Sequence, residues 1–254
     1  WLLAKVLLPL RRLLAFESAY AAGVLQDLEA WCRQAPEIAD RPIVSIFVGG
    51  GTPSLMSGET VEQLLTGIRS RFRLTEDCEI TMEANPGTAE SEKFKAFRAA
   101  GVNRLSIGVQ SFSDEKLQRL GRIHTADDAR AAIDMARQSF ENFNLDLMYA
   151  LPGESIADLQ MELAEALSSG ATHLSCYQLT IEPGTAFEKR LPEDLPDLDE
   201  TAEMGDVVEA LLAQAGYTRY EVSGYARPGR QCRHNLNYWM FGDYLAAGPG
   251  AHGK

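Results

Sequence analysis

The stretch Ile43-Val44-Ser45-Ile46-Phe47-Val48-Gly49-Gly50-Gly51-Thr52-Pro53 joins a short β-branched run to three glycines, a threonine and a proline. The run has the composition of a buried parallel strand. The glycines let backbone approach a ligand closely and present its N–H groups. A strand that stops at such a loop and is followed by a helix is how parallel α/β folds place a site at the C-terminal ends of their strands.

The same unit recurs on both sides. Upstream, Tyr20, Val24, Leu28 and Trp31 fall at helical spacing within Glu17 to Gln34. Downstream, Ser57 is placed to cap a helix from about Gly58 to Phe72. Strands are expected at Glu79–Glu83, Arg104–Gln110, Asn144–Met148 and His173–Ile181. Helical segments separate them, one of which stops at Gly101. Strand and helix thus alternate with no two-residue hairpin between strands, which means parallel pairing. Polar residues close every strand, at Thr52, Glu83, Gln110, Asp146 and Gln178. An open sheet needs ligand-facing ends only at its switch point, so five decorated ends favour a barrel mouth.

Past Pro183 the texture changes. RLPEDLPDLDE at 190–200 reads as a solvated linker, followed by a helix to Gln214 and an antiparallel strand over Tyr217–Tyr225. The aromatic, glycine-rich end, HNLNYWMFGDYLAAGPGAHGK, closes without a terminal signature, and truncation is expected there. Three regions follow: an atypical N-terminal segment at 1–19, a partial barrel at 20–185 and an incomplete C-terminal extension at 186–254.

The chain has 254 residues, 45% of them hydrophobic, enough for one α/β barrel. Its formal charge of −12 argues against a nucleic-acid surface. The opening run WLLAKVLLPLRRLLAF is too short and too charged to span a bilayer, and its arginines sit where a signal peptide would not have them. A soluble, cytoplasmic protein is expected. Cys32, Cys78, Cys176 and Cys232 form no closely spaced group, so no metal site is visible among them.

The glycine loop lacks the Gly-Lys-Ser/Thr ending of a phosphate loop and the Gly-x-Gly-x-x-Gly dinucleotide pattern. Backbone contact to the ammonium and carboxylate of an amino acid suits it, with a tight structural turn as the alternative. Glu83 and Asp146 read as buried ion-pair partners or as acceptors for a ribose diol, with Gln110 as a neutral partner. Arg122 offers a planar fork for a carboxylate or a surface salt bridge. An ordinary barrel lyase or hydrolase would need a metal ligand set or a lysine at the strand ends, and none is there.

In order, the chain carries GGGTPS, EANPGT, AGVNRLSIGVQSF, LGRIH, NLDLM with LPG, YQLTIEPGT, and HNLNYW with FGDY and GAHGK. This series closely resembles the oxygen-independent coproporphyrinogen III oxidase-like branch of the radical S-adenosylmethionine (SAM) superfamily, from about Tyr20 to Lys254. HNLNYW and QLTIEPGT resemble its HemW-type haem chaperones more than the true oxidases. The resemblance implies a partial (β/α)6 parallel barrel, here without its first strand, with a small α+β C-terminal extension. It implies that Gly50, Gly51 and Thr52 hold the methionyl end of S-adenosylmethionine, that Glu83, Gln110 and Asp146 face its ribose, and that Arg122 meets its carboxylate. Thr180 falls near the adenine by rough alignment, and His234 is placed as a haem contact. The implied role is haem trafficking to acceptor proteins rather than enzyme turnover. The alternative is a coproporphyrinogen III oxidase of porphyrin biosynthesis.

The family also carries a 4Fe–4S cluster on a Cys-x-x-x-Cys-x-x-Cys motif. With Trp1 and Lys5 in that frame, the cysteine places are Leu2, Val6 and Pro9, none of which supplies a thiolate. A shifted reading frame upstream of Tyr20 is the favoured explanation, and loss of the cluster is the other. For this chain the expected metal ligand set is none.

Overall fold

The computed structural model describes residues 16–253. Leu2, Val6 and Pro9, and with them most of the 1–19 segment, lie outside the described residues. Helix α1 (Glu17–Gln34) precedes strand β1 (Ile43–Val48), and helix α2 (Gly58–Arg69) leads to β2 (Leu74–Ala84). Helix α3 (Ser91–Ala100) leads to β3 (Arg104–Gln110). Helices α4 (Asp114–Arg119) and α5 (Ala126–Ser139) precede β4 (Phe143–Tyr149), and α6 (Ile156–Ser168) precedes β5 (His173–Gln178). Ser57 caps α2 by accepting from the Thr60 amide, and Gly101 ends α3 at φ 110°.

Strands β1 to β5 pair in sequence order and in parallel, as the alternation with helices requires. After α7 (Ala186–Lys189) and α8 (Leu198–Gln214), the chain adds β6 (Thr218–Arg219) and β7 (Gly224–Ala226) to the same sheet. Strand β7 lies antiparallel to β5, and β6 antiparallel to β7. The stretch 217–225 is therefore a short hairpin and not one strand, because Tyr220 to Ser223 turn the chain between β6 and β7. Strand β5 stops at Gln178, three residues short of Ile181, where its partner β4 has also ended. Helix α9 (Arg233–Trp239) crosses the open side of the curled sheet, where His234 stacks against Phe47 of β1 with ring centroids 4.6 Å apart.

The strands are not the continuous apolar runs that full burial on both faces produces. They alternate. Ile46, Val48, Ile80, Met82, Leu105, Ile107, Leu145, Leu147 and Leu174 pack outward against the helices, in one core with Leu28, Leu65, Phe94 and Phe97. Burying one such side chain stabilises the fold by about 1.5–3 kcal/mol. Phe47, Glu83, Arg104, Ser106, Asn144, Asp146 and Ser175 point inward and line a hollow. The interior of this half-barrel is thus polar, unlike the branched aliphatic filling of a closed barrel.

Candidate functional site

The site lies at the C-terminal ends of β1 to β4. The backbone turns off β1 with Gly50 at φ 82° and Gly51 at φ 65°, values that side chains with a Cβ rarely adopt. Gly50 N–H donates to Glu83 Oε2 at 2.8 Å, so the glycine loop is tied to the end of β2. Ser54 Oγ accepts from Asn85 N–H at 3.2 Å and shares a 2.9 Å bond with Thr88, which fixes the two loops against each other. At the end of β3, Gln110 takes φ 70°, a left-handed backbone that is uncommon outside glycine and marks a constrained position.

Gly51, Thr52, Glu83, Gln110, Arg122 and Asp146 line one hollow of about 210 Å³. Gly50 turns to the other side of the loop, where it borders an apolar pocket with Tyr20 and Val48. Its contribution to the mouth is the N–H on Glu83. Thr180 is exposed beyond the end of β5, its hydroxyl donating to the Gln178 carbonyl at 3.4 Å, and it does not line the hollow. His234 is buried in a groove beside β1 with Asn237 and Tyr244, and burial pushes its imidazole down to about 3, which keeps it neutral.

Two half-buried carboxylates set the electrostatics. Desolvation raises the pKa of Glu83, and the Asp146 charge raises it further while Gly50 N–H opposes. Asp146 opens only onto the hollow, and desolvation raises its pKa against the pull of Asn144, Ser106 and Arg104. Its oxygens are held, Oδ1 by Asn144 Nδ2 at 2.8 Å and Oδ2 by Ser106 Oγ at 3.2 Å. Because both amide hydrogens of Asn144 face Asp146 and Ser106, its Oδ1 is the acceptor for His173 Nδ1–H at 2.6 Å. His173 Nε2 then accepts from the Tyr220 hydroxyl at 2.8 Å. A continuous chain of hydrogen bonds runs from the C-terminal hairpin to the mouth. Burial holds His173 well below the usual imidazole range, consistent with that neutral tautomer.

Behind the mouth, Glu162 of α6 accepts from Ser111 Oγ at 2.6 Å and from Phe112 N–H at 2.9 Å. It also pairs with Lys116, which in turn binds Glu154 at 2.7 Å. This buried cluster fixes the turn that follows Gln110. The sequence reading missed Ser106, Asn144, His173 and Arg104. Their signal is the period-2 polarity Arg104-x-Ser106, Asn144-x-Asp146 and His173-x-Ser175.

An acidic hollow with a glycine-loop wall and a rim arginine fits S-adenosylmethionine, a cation with an amino-acid end and a ribose diol. Glu83 and Asp146 provide acceptors, and the Arg122 guanidinium makes no hydrogen bond or ion pair among the described residues. A cysteine-held cluster does not fit. Burial pushes the Cys78 and Cys232 thiols up to about 11 and Cys176 up to about 12, the opposite of thiolate ligation. Cys32 stands apart on α1. Among the described residues no group of three His, Cys, Asp or Glu side chains is arranged to hold a metal ion. No described helix is long and apolar enough to cross a membrane.

The model of the Radical SAM superfamily matches residues 16–166. A protein of Haemophilus influenzae named "Heme chaperone HemW" is 49% identical over 240 residues, which are 94% of this chain and 62% of that protein. Its Escherichia coli namesake is 50% identical over 236 residues, 92% of this chain and 61% of that protein. The chain thus spans less than two thirds of the length of these relatives. The solved structure of Escherichia coli coproporphyrinogen III oxidase (HemN), described as a radical SAM enzyme, superposes with a TM-score of 0.77 at 25% identity, over 92% of this chain and 57% of that one. The fold is shared at 18% identity by Elp3 of Methanocaldococcus infernus, with a TM-score of 0.59 over 83% of this chain and 53% of that one. The family match and the agreement along almost the whole chain make this protein a member of the radical SAM superfamily, in the branch that holds the HemW heme chaperones.

Proposed function

We propose that this chain is the S-adenosylmethionine-binding barrel of a haem-trafficking protein of the HemW type. The observation that carries it is the convergence of Gly51, Thr52, Glu83, Gln110, Arg122 and Asp146 on one hollow. In this reading Asp146 and Glu83 accept from the ribose and the ammonium, and Arg122 forks onto the carboxylate. Gln110, held in its left-handed backbone, aims its amide at the sugar side. S-adenosylmethionine supplies a sulfonium whose carbon–sulfur bond a single electron can cleave. The chain's own residues bind and orient it and keep water from it. They provide no thiolate set for the cluster that delivers such an electron elsewhere in the superfamily.

Haem is the cargo, by likeness to relatives near half identity that carry the name. Neutral His234 in the groove beside β1 is its proposed ligand, and a haem-acceptor protein is the partner. Calorimetric titration with S-adenosylmethionine tests the barrel: saturable binding, weakened at least about tenfold by Asp146→Ala, is expected. No binding to the wild-type chain overturns the reading. The likeness to the oxidase favours a second reading, which decarboxylation of coproporphyrinogen III by this chain would establish.

A further inference from the structure

The polar lumen contains a guanidinium that no hydrogen bond satisfies, although Glu79 and Asp146 act on its charge through space. Arg104 projects inward from the start of β3 and is 2% exposed. Its Nε has no hydrogen-bond partner, and its guanidinium makes no hydrogen bond or ion pair with any described residue. Buried donors without acceptors are costly and call for an occupant. The nearest carboxylates are committed elsewhere. Glu79 Oε1 accepts from Arg233 N–H at 2.9 Å and Cys232 Sγ at 3.4 Å, while Asp146 is held by Asn144 and Ser106. The guanidinium lines a hollow of about 200 Å³ with Ser106, Asn144, Tyr177 and Asn235. That hollow adjoins the mouth, sharing Glu83, Gln110 and Asp146 with it. A fixed planar fork with unspent donors selects a carboxylate. The space takes a short carboxylate arm and not a macrocycle.

We propose that Arg104 anchors a second binding site inside the barrel, beneath the S-adenosylmethionine site, for the carboxylate arm of another ligand. Resting on the haem-trafficking reading, that arm is a tetrapyrrole propionate reaching down from the mouth. A small free carboxylate shares the chemistry, and the test separates the two.

Titration of the full chain with carboxyl-¹³C propionate, followed by NMR, is the direct probe. Saturable binding is expected for propionate and none for propionamide. Arg104→Gln weakens propionate binding at least about tenfold, and Arg104→Lys, which keeps the charge but not the fork, weakens it less. Circular dichroism on both variants checks that they fold. Equal propionate binding by wild type and Arg104→Gln, or no saturable binding by wild type, overturns the site. So does a matching loss of S-adenosylmethionine affinity in Arg104→Gln, which would assign the arginine to that ligand instead. Haem against its dimethyl ester identifies the source. A preference for the free acid of about tenfold in wild type, absent from Arg104→Gln, supports the propionate. No preference overturns it in favour of a small carboxylate. Propionate binding alongside failure of S-adenosylmethionine to bind would sink the proposed function and leave this site standing.

Discussion

Glu83 is half-buried where a charge is costly, with one amide from Gly50 and a second carboxylate, Asp146, near it. The folded chain therefore holds the Glu83 proton more tightly than the unfolded chain, whose glutamate titrates near 4.5. Stability is lost as pH rises through this window and stays lost at neutral pH. Glu83→Gln keeps an acceptor for Gly50 N–H and removes the charge. It should raise the unfolding temperature at pH 7, because the cost of holding a desolvated charge is relieved. The advantage should shrink as pH falls and vanish well below 4.5, where both states are protonated. Thermal denaturation across pH checks this, and an unchanged or lower melting temperature at pH 7 would contradict it. The same variant should bind S-adenosylmethionine more weakly, which is the trade between stability and function expected of a strained site.

At the scale of elements, the end of β3 is held from behind by α6. Glu162→Ala strips partners from Phe112 N–H and Ser111, and leaves Lys116 with Glu154 alone. A loss of about 2–3 kcal/mol is expected in urea unfolding, with a fall in S-adenosylmethionine affinity because the turn after Gln110 loosens. An effect below about 0.5 kcal/mol would mean that the turn holds itself. Helix Glu17–Gln34, the Ser57 cap, the Gly101 stop and strand Arg104–Gln110 were legible in the sequence because each rests on local chemistry. The residues at the mouth were legible because strand ends carry sites in parallel folds. Glu162 was not, since it reaches Ser111 from 51 positions away. Nor was the solitude of Arg104, because whether a buried group is paired depends on contacts between strands and leaves no trace in spacing. Thr180 was placed by rough alignment to the family, and it stands exposed beyond the end of β5.

Taken whole, the molecule is an apolar shell of helices around a sheet whose concave face is polar, and its cysteines belong to the shell and the floor rather than to the mouth. Cys78 is buried on β2 and Cys176 packs outward from β5. Cys232 lies at the start of α9 against Glu79, and Cys32 is on α1. Bringing three of them to one iron cluster would require taking β2 or β5 out of the sheet, at the expense of the core that holds the fold together. Anaerobic incubation of the chain with iron and sulfide should therefore give less than about 0.1 cluster per chain and no thiolate-to-iron absorption band. A stoichiometric four-iron cluster in the unaltered chain would overturn that account. The triple substitution Leu2→Cys, Val6→Cys, Pro9→Cys places thiols at the family's spacing without disturbing the four cysteines already present. Cluster uptake by that variant, with S-adenosylmethionine affinity rising alongside it, is the expected outcome, because the binding hollow already stands without the metal.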